Sequence, residues 1–212
     1  MPNWCKNRLT ISGKREEIEK CLKAIESENG VIDFEKIIPM PSELKDVISG
    51  TDLERSMELL KKERSGEKLS PEEEKFLEEK DFEKQKSNRE NAALALSCLE
   101  KYGYRDWYDW AIENWGTKWN ADARLDVIWI SQSDDKAMCE IIFETAWSAP
   151  LPVIKKVSEM FPNLILREEA YDYSMAWGLV YYYTGGNWDM RIEGDFAYNS
   201  DYYTDEEDSS DN

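Results

Sequence analysis

An α+β sandwich with a mostly antiparallel sheet is the fold class this sequence predicts, on three observations. Residues 7–12 alternate as a strand, and an amphipathic helix and a second extended piece at 31–38 follow. Residues 124–131 and 138–145 read as two further strands across a polar turn, with another amphipathic helix behind them. Between these groups, residues 50–105 are dense in Lys and Glu and almost lack β-branched residues, which marks a helical insertion. Strand, helix, strand is half of a ferredoxin-like sandwich. The chain therefore divides into 1–49 as the first half of that domain and 50–105 as the insertion. Residues 106–200 make an acidic, aromatic second half, and 201–212 a flexible acidic tail.

The first strand ends at Ser12-Gly13. Ile18, Cys21, Leu22 and Ile25 then recur at i, i+3, i+4 and i+7, one apolar helical face that Asn29-Gly30 breaks. Pro39-Met40-Pro41 closes the second extended piece. Inside the insertion, Ser70-Pro71-Glu72-Glu73 has a capping Ser, Pro at the first helical position and Glu three residues after the cap. Leu94, Ala95, Cys98, Leu99 and Tyr102 form a weaker apolar face, and the mixed charges around them read as solvated i,i+4 pairs. Residues 106–115 are a short helix with Trp107, Trp110 and Ala111 on one side and Gly116 as its C-cap. Val153, Ile154, Val157, Met160 and Phe161 share a face of the helix 151–161, stopped by Pro162-Asn163. Residues 177–184 and 189–198 are strands on either side of the turn Gly185-Gly186.

Charge is distributed unevenly. From Asp106 onward there are 22 Asp+Glu against 7 Lys+Arg, whereas the preceding residues have 23 against 20. With a net charge of -18, direct binding of DNA, RNA or an anionic membrane is disfavoured, and a basic partner is favoured. A hydrophobic fraction of 41% and an aromatic fraction of 12% are too high for a disordered chain. There is no histidine, so Ser-His-Asp and Cys-His catalysis are excluded. Cys5, Cys21, Cys98 and Cys139 lack the paired spacing of a zinc site and read as reduced thiols. The N-terminal residues lack signal-peptide features and no apolar run is long enough to span a bilayer, so the expectation is a cytoplasmic protein without cofactor or membrane contact.

Four segments carry a family resemblance. They are Pro2-Asn3-Trp4-Cys5 with Asn7 and Leu9; Ile38-Pro39-Met40-Pro41; Trp107-Tyr108 through Asn114-Trp115-Gly116-Thr117-Lys118-Trp119; and Phe143-Glu144-Thr145-Ala146-Trp147-Ser148-Ala149-Pro150 before Pro152. In this order they resemble the YubB-like proteins of plasmids, phages and genomic islands. The resemblance implies a ferredoxin-like domain and carriage on mobile elements, and it implies no catalytic residues. The insertion and the acidic end depart from the pattern.

Two constellations stand out as candidate sites. Trp107, Trp110, Trp115 and Trp119 read as core and helix docking in preference to a base-stacking platform, which normally lies in a basic groove. In the strand 189–198, Asp189, Arg191, Glu193 and Asp195 alternate with Met190, Ile192, Phe196 and Tyr198. Residues two apart on a strand lie about 6.6 Å from each other, close to the spacing of phosphates along a nucleic-acid strand. Glu140 and Glu144 repeat the pattern on their own strand, and the run containing Tyr181 and Tyr183 offers interface aromatics. The expectation is therefore a non-catalytic interaction protein with no metal site. Asp189, Glu193, Asp195, Glu140, Glu144, Tyr181 and Tyr183 would meet a basic host protein, in the sharpest version the nucleic-acid groove of a defence complex, blocked by an anti-CRISPR-like mimic. The alternatives are a carboxylate- and metal-dependent enzyme acting on nucleic acid or phosphate esters, and a homo-oligomeric assembly subunit.

Overall fold

The computed structural model describes residues 3–28, 30–82, 85–123, 127–172 and 177–195, with 123, 172, 177 and 190–195 described by backbone alone. One antiparallel sheet organises them. Its central strand is β1 (Trp4–Gly13), flanked by β4 (Ala137–Ala146) and β5 (Ile165–Asp172). On the far side of β4 lie β2 (Asp122–Ala123) and β3 (Ile128–Gln132); beyond β5 come β6 (Trp177–Thr184) and β7 (Asn187–Asp195). The order β3-β4-β1-β5, with helices α1 (Arg15–Ile25) and α8 (Leu151–Met160) on one face, is the ferredoxin-like sandwich, extended by the β6–β7 hairpin.

The alternation of β1 explains why the sheet is covered on one face. Cys5, Asn7, Leu9 and Ile11 are buried, and their partners Thr145, Phe143, Ile141 and Cys139 on β4 are buried with them. Directly paired residues share a face, so this row extends through Leu166, Glu168 and Ala170 of β5 to Leu179, Tyr181 and Tyr183 of β6. Ile18, Cys21 and Ile25 of α1 and Val153, Ile154 and Val157 of α8 close over it. All four cysteines are buried thiols outside any disulfide, and burial pushes the Cys21 and Cys139 thiols up to about 12.

The second extended piece differs from expectation. Residues 31–38 enter no sheet; Asp33 caps a one-turn helix α2 (Phe34–Ile37), accepting from the Glu35 N–H at 2.9 Å. Phe34 and Ile37, three residues apart, both turn inward, so the apolar run serves a helical turn. The strand that pairs with β4 in the sandwich is β3 instead, and the elements described between α1 and β2 are helices. They are α2, α3 (Ser42–Lys45), α4 (Thr51–Arg64), α5 (Pro71–Glu78), α6 (Asn88–Tyr102) and α7 (Trp107–Trp115). Asn120 ties the two ends of this excursion: its amide donates to Asp33 at 2.7 Å and accepts from the Phe34 N–H at 2.8 Å.

The insertion helices are solvated over most of their surface, but α4 and α6 each turn one face inward. Leu53, Met57 and Leu60 of α4 and Ala92, Ala95 and Cys98 of α6 belong to the same buried cluster as the sheet. Both long starts are capping boxes, at Ser70 as the sequence predicts and again at Ser87. No helix among the described residues is long and apolar enough to cross a membrane.

Candidate functional site

The structure distributes the seven predicted contact residues over both faces of the sheet. Glu140 and Glu144 stand on the open face; Glu140 accepts from Thr10 at 3.5 Å and Glu144 is paired with Lys6 of β1. Tyr181 and Tyr183 lie on the opposite, helix-covered face, stacked at 6.1 Å. Tyr183 is buried, so its ring is part of the core and not a surface contact.

The even alternation expected of the last strand fails at a β-bulge. The β6–β7 register shifts between Val180 and Tyr181: Met190 pairs with Tyr181 and Ile192 with Val180, which leaves Arg191 as an extra residue. Exposed Asp189 pairs with Tyr182, an open-face position, whereas Glu193 and Asp195 pair with Leu179 and Trp177, positions of the other parity. The three carboxylates therefore do not occupy register positions of one face. The continuation to Tyr198 and the tail 201–212 lie outside the described residues.

What the fold does bring together is the set of four segments that carry the resemblance. They converge where β1 begins and β4 ends. Trp115 donates its indole N–H to the Ile38 carbonyl at 2.9 Å. Asn7 donates to the Thr145 hydroxyl at 2.8 Å, Thr145 donates to the Ser148 carbonyl at 2.7 Å, and Ser148 donates to the Gly116 carbonyl at 2.6 Å. Thr117 adds a 2.7 Å bond to the Ala146 carbonyl. This network fixes Trp147 at φ 73°, a left-handed conformation that costs a bulky residue of order 1–3 kcal/mol and persists only where its surroundings enforce it. The Trp147 N–H also donates to the Asn3 carbonyl at 2.9 Å.

The result is an aromatic corner. Asp106 caps α7 by accepting from the Tyr108 and Asp109 N–H groups, and Gly116 ends it in the left-handed conformation. Trp110 and Trp115 point into the core, as the sequence suggests. Trp119 does not: beyond the cap it stands 6.1 Å from Trp4. Trp4, Trp119 and Trp147 are 37%, 38% and 43% exposed, and Tyr108 meets Trp147 edge-on at 6.4 Å. Lys118 sits among these rings, its ammonium 4.8 Å from Trp119, 5.0 Å from Trp147 and 5.8 Å from Tyr108. Reading the tryptophans as one core cluster misses this. The signal was the Gly116 cap, which takes Lys118-Trp119 off the helical face.

A second unusual group lies behind the sheet. Glu168, paired with Leu9 and Tyr181, is fully buried, and among the described residues neither carboxylate oxygen has a hydrogen-bond partner. Burial, and then the neighbouring Glu169 charge, hold its carboxyl well above the usual range. Among the described residues no group of three or more Asp, Glu, Cys or His is arranged to hold a metal ion.

No curated protein matches the chain. A crystal structure of protein api92 from Yersinia pseudotuberculosis aligns over 94% of this chain and 99% of its own length, at 11% identity and a TM-score of 0.45. Residues 114–210 match the family model described as "Ferredoxin-like domain in Api92-like protein". That segment begins in α7 and takes in β2 to β7 and α8, while β1 and α1 precede it. The fold is therefore ferredoxin-like, and over residues 114–210 the chain is similar to the domain found in Api92-like proteins.

Proposed function

We propose that the protein is a non-catalytic interaction protein and that its aromatic corner is where a protein partner docks. The observation that carries this reading is the set of three part-exposed tryptophans, Trp4, Trp119 and Trp147, held by buried hydrogen bonds and a strained backbone. Exposed indoles would shed their water on binding, and rigid aromatic anchors are what interface hot spots are made of. Sequence-wide acidity, net -18, selects a basic partner by steering. The finer reading follows the YubB-like resemblance: a cytoplasmic product of a mobile element that occupies a basic host protein, in its sharpest form the nucleic-acid groove of a defence complex.

Affinity capture tests this with the folded protein, Trp119→Ala and Trp147→Gly as baits in host lysate at low and high salt. The expected result is retention of a basic nucleic-acid-binding protein by the native chain at low salt and its loss with either variant. Equal retention by all three baits, or capture of no basic protein at low salt, overturns the proposal.

A further inference from the structure

We propose that Lys118 is a receptor for a single carboxylate borne beside a flat apolar group, as the C-terminal residue of a protein partner presents. This rests on the corner being a docking surface and adds the chemistry it reads. Three ring faces surround the Lys118 ammonium at 4.8 to 5.8 Å. Rings attract a cation through their quadrupole but accept none of its hydrogen bonds in the way a carboxylate does. Among the described residues, no acidic side chain lies within ion-pair distance of Lys118, and Asp109, on the same helix as Tyr108, is held by Arg105 at 2.9 Å. Among the described residues the Lys118 ammonium thus meets only aromatic rings, at a corner of a chain whose net charge is -18.

The walls set the rest of the ligand. Trp4 and Trp119, inclined at 49°, and the half-exposed Trp147 offer plates on which a flat or branched apolar group would lie once its anionic end met Lys118. The loop carrying Lys118 and the one carrying Trp147 are already tied by the Ser148–Gly116 and Thr117–Ala146 bonds, so little ordering accompanies binding. A base and phosphate would also fit rings and ammonium. A polyanion, however, brings many charges up to an acidic protein, whereas one carboxylate brings only the charge that Lys118 neutralises.

The test follows the indole N–H signals of Trp119 and Trp147 by NMR in the intact chain, without any partner. The probes are N-acetyl-phenylalanine, its uncharged amide and adenosine monophosphate. The free acid is expected to bind about tenfold more tightly than the amide, the usual worth of a charge-assisted hydrogen bond. Lys118→Met should abolish the difference and Lys118→Arg should keep it. Raising salt on the native protein, where folding is not in question, should shrink it as well. Equal binding of acid and amide, tighter binding of the nucleotide, a preference that survives Lys118→Met, or no shift at either indole each overturns the proposal. A basic partner captured through the corner by a protein that shows no acid preference would leave the docking role standing and remove this assignment alone.

Discussion

Glu168 is the residue whose environment departs furthest from what its chemistry requires. A buried carboxyl that meets no donor among the described residues is far easier to bury neutral than charged. Its folded-state pKa therefore lies above its unfolded value. The folded state holds a proton that the unfolded state releases, so this contribution to stability is fully present below the unfolded carboxylate pKa and is lost as pH rises toward the folded one. Thermal unfolding of the native chain should accordingly lose stability with rising pH over that window, and Glu168→Gln should flatten the profile. Glu168→Leu should stabilise by about 1–3 kcal/mol at neutral pH, since it removes an unsatisfied buried group from an apolar setting. Profiles that superimpose for native protein and Glu168→Gln would show that the carboxyl finds a partner in solution.

At the scale of elements, the turn after α7 holds the aromatic corner in place. Gly116 has φ 78°, and a Cβ there would lie 2.8 Å from Pro152 and 3.2 Å from the Ala149 carbonyl. Gly116→Ala should therefore cost about 1–3 kcal/mol in chemical denaturation and displace Lys118 and Trp119. A neutral result would mean that the helix end moves freely against α8. Much of this element level was legible in sequence. Ser70-Pro71 and Asp106 start helices, Gly116 ends one, and Gly185-Gly186 turns a hairpin, because each solves a backbone problem with its own residue. The failures occurred where tertiary contact decided the outcome. Val31 to Ile38 is apolar enough for a strand, but β3 takes the place beside β4, and Asp33 caps a helical turn instead. Strand β5 went unrecognised because Arg167-Glu168-Glu169 puts a carboxylate where alternation demands an apolar residue. The carboxylates of β7 do not form the even row that their alternation predicts, because one extra residue at Arg191 reverses the parity.

For the whole molecule, the split in charge between the two halves of the sequence does not become a split in space. Strand β1 lies between β4 and β5, which sets Lys6 and Arg8 of the nearly neutral half beside Glu144 and Glu169 of the acidic half. The open sheet face is consequently mixed in sign, and Arg167 and Glu169 pair along β5 on it at 2.5 Å. The same interleaving bears on the matched segment 114–210. Without β1, β4 and β5 have no strand to join them, because each pairs with β1 rather than with the other. A fragment of residues 114–210 alone should be unfolded or aggregated by circular dichroism and light scattering, and a peptide of residues 3–13 added in trans should increase its β signal. A cooperative monomeric fold for the fragment would contradict the central role of β1.

The position of β1 also has a consequence in time. Trp4 pairs with Ala146 and Cys5 with Asp172, so β1 leaves the ribosome well before either of the strands it must pair with. During synthesis its alternating edge waits, unpaired, while the insertion helices assemble through nearby contacts. The long helical excursion thus has a kinetic meaning: it fills the interval before the sheet can close, and any delay in making β4 and β5 lengthens the exposure of an apolar strand edge to other chains.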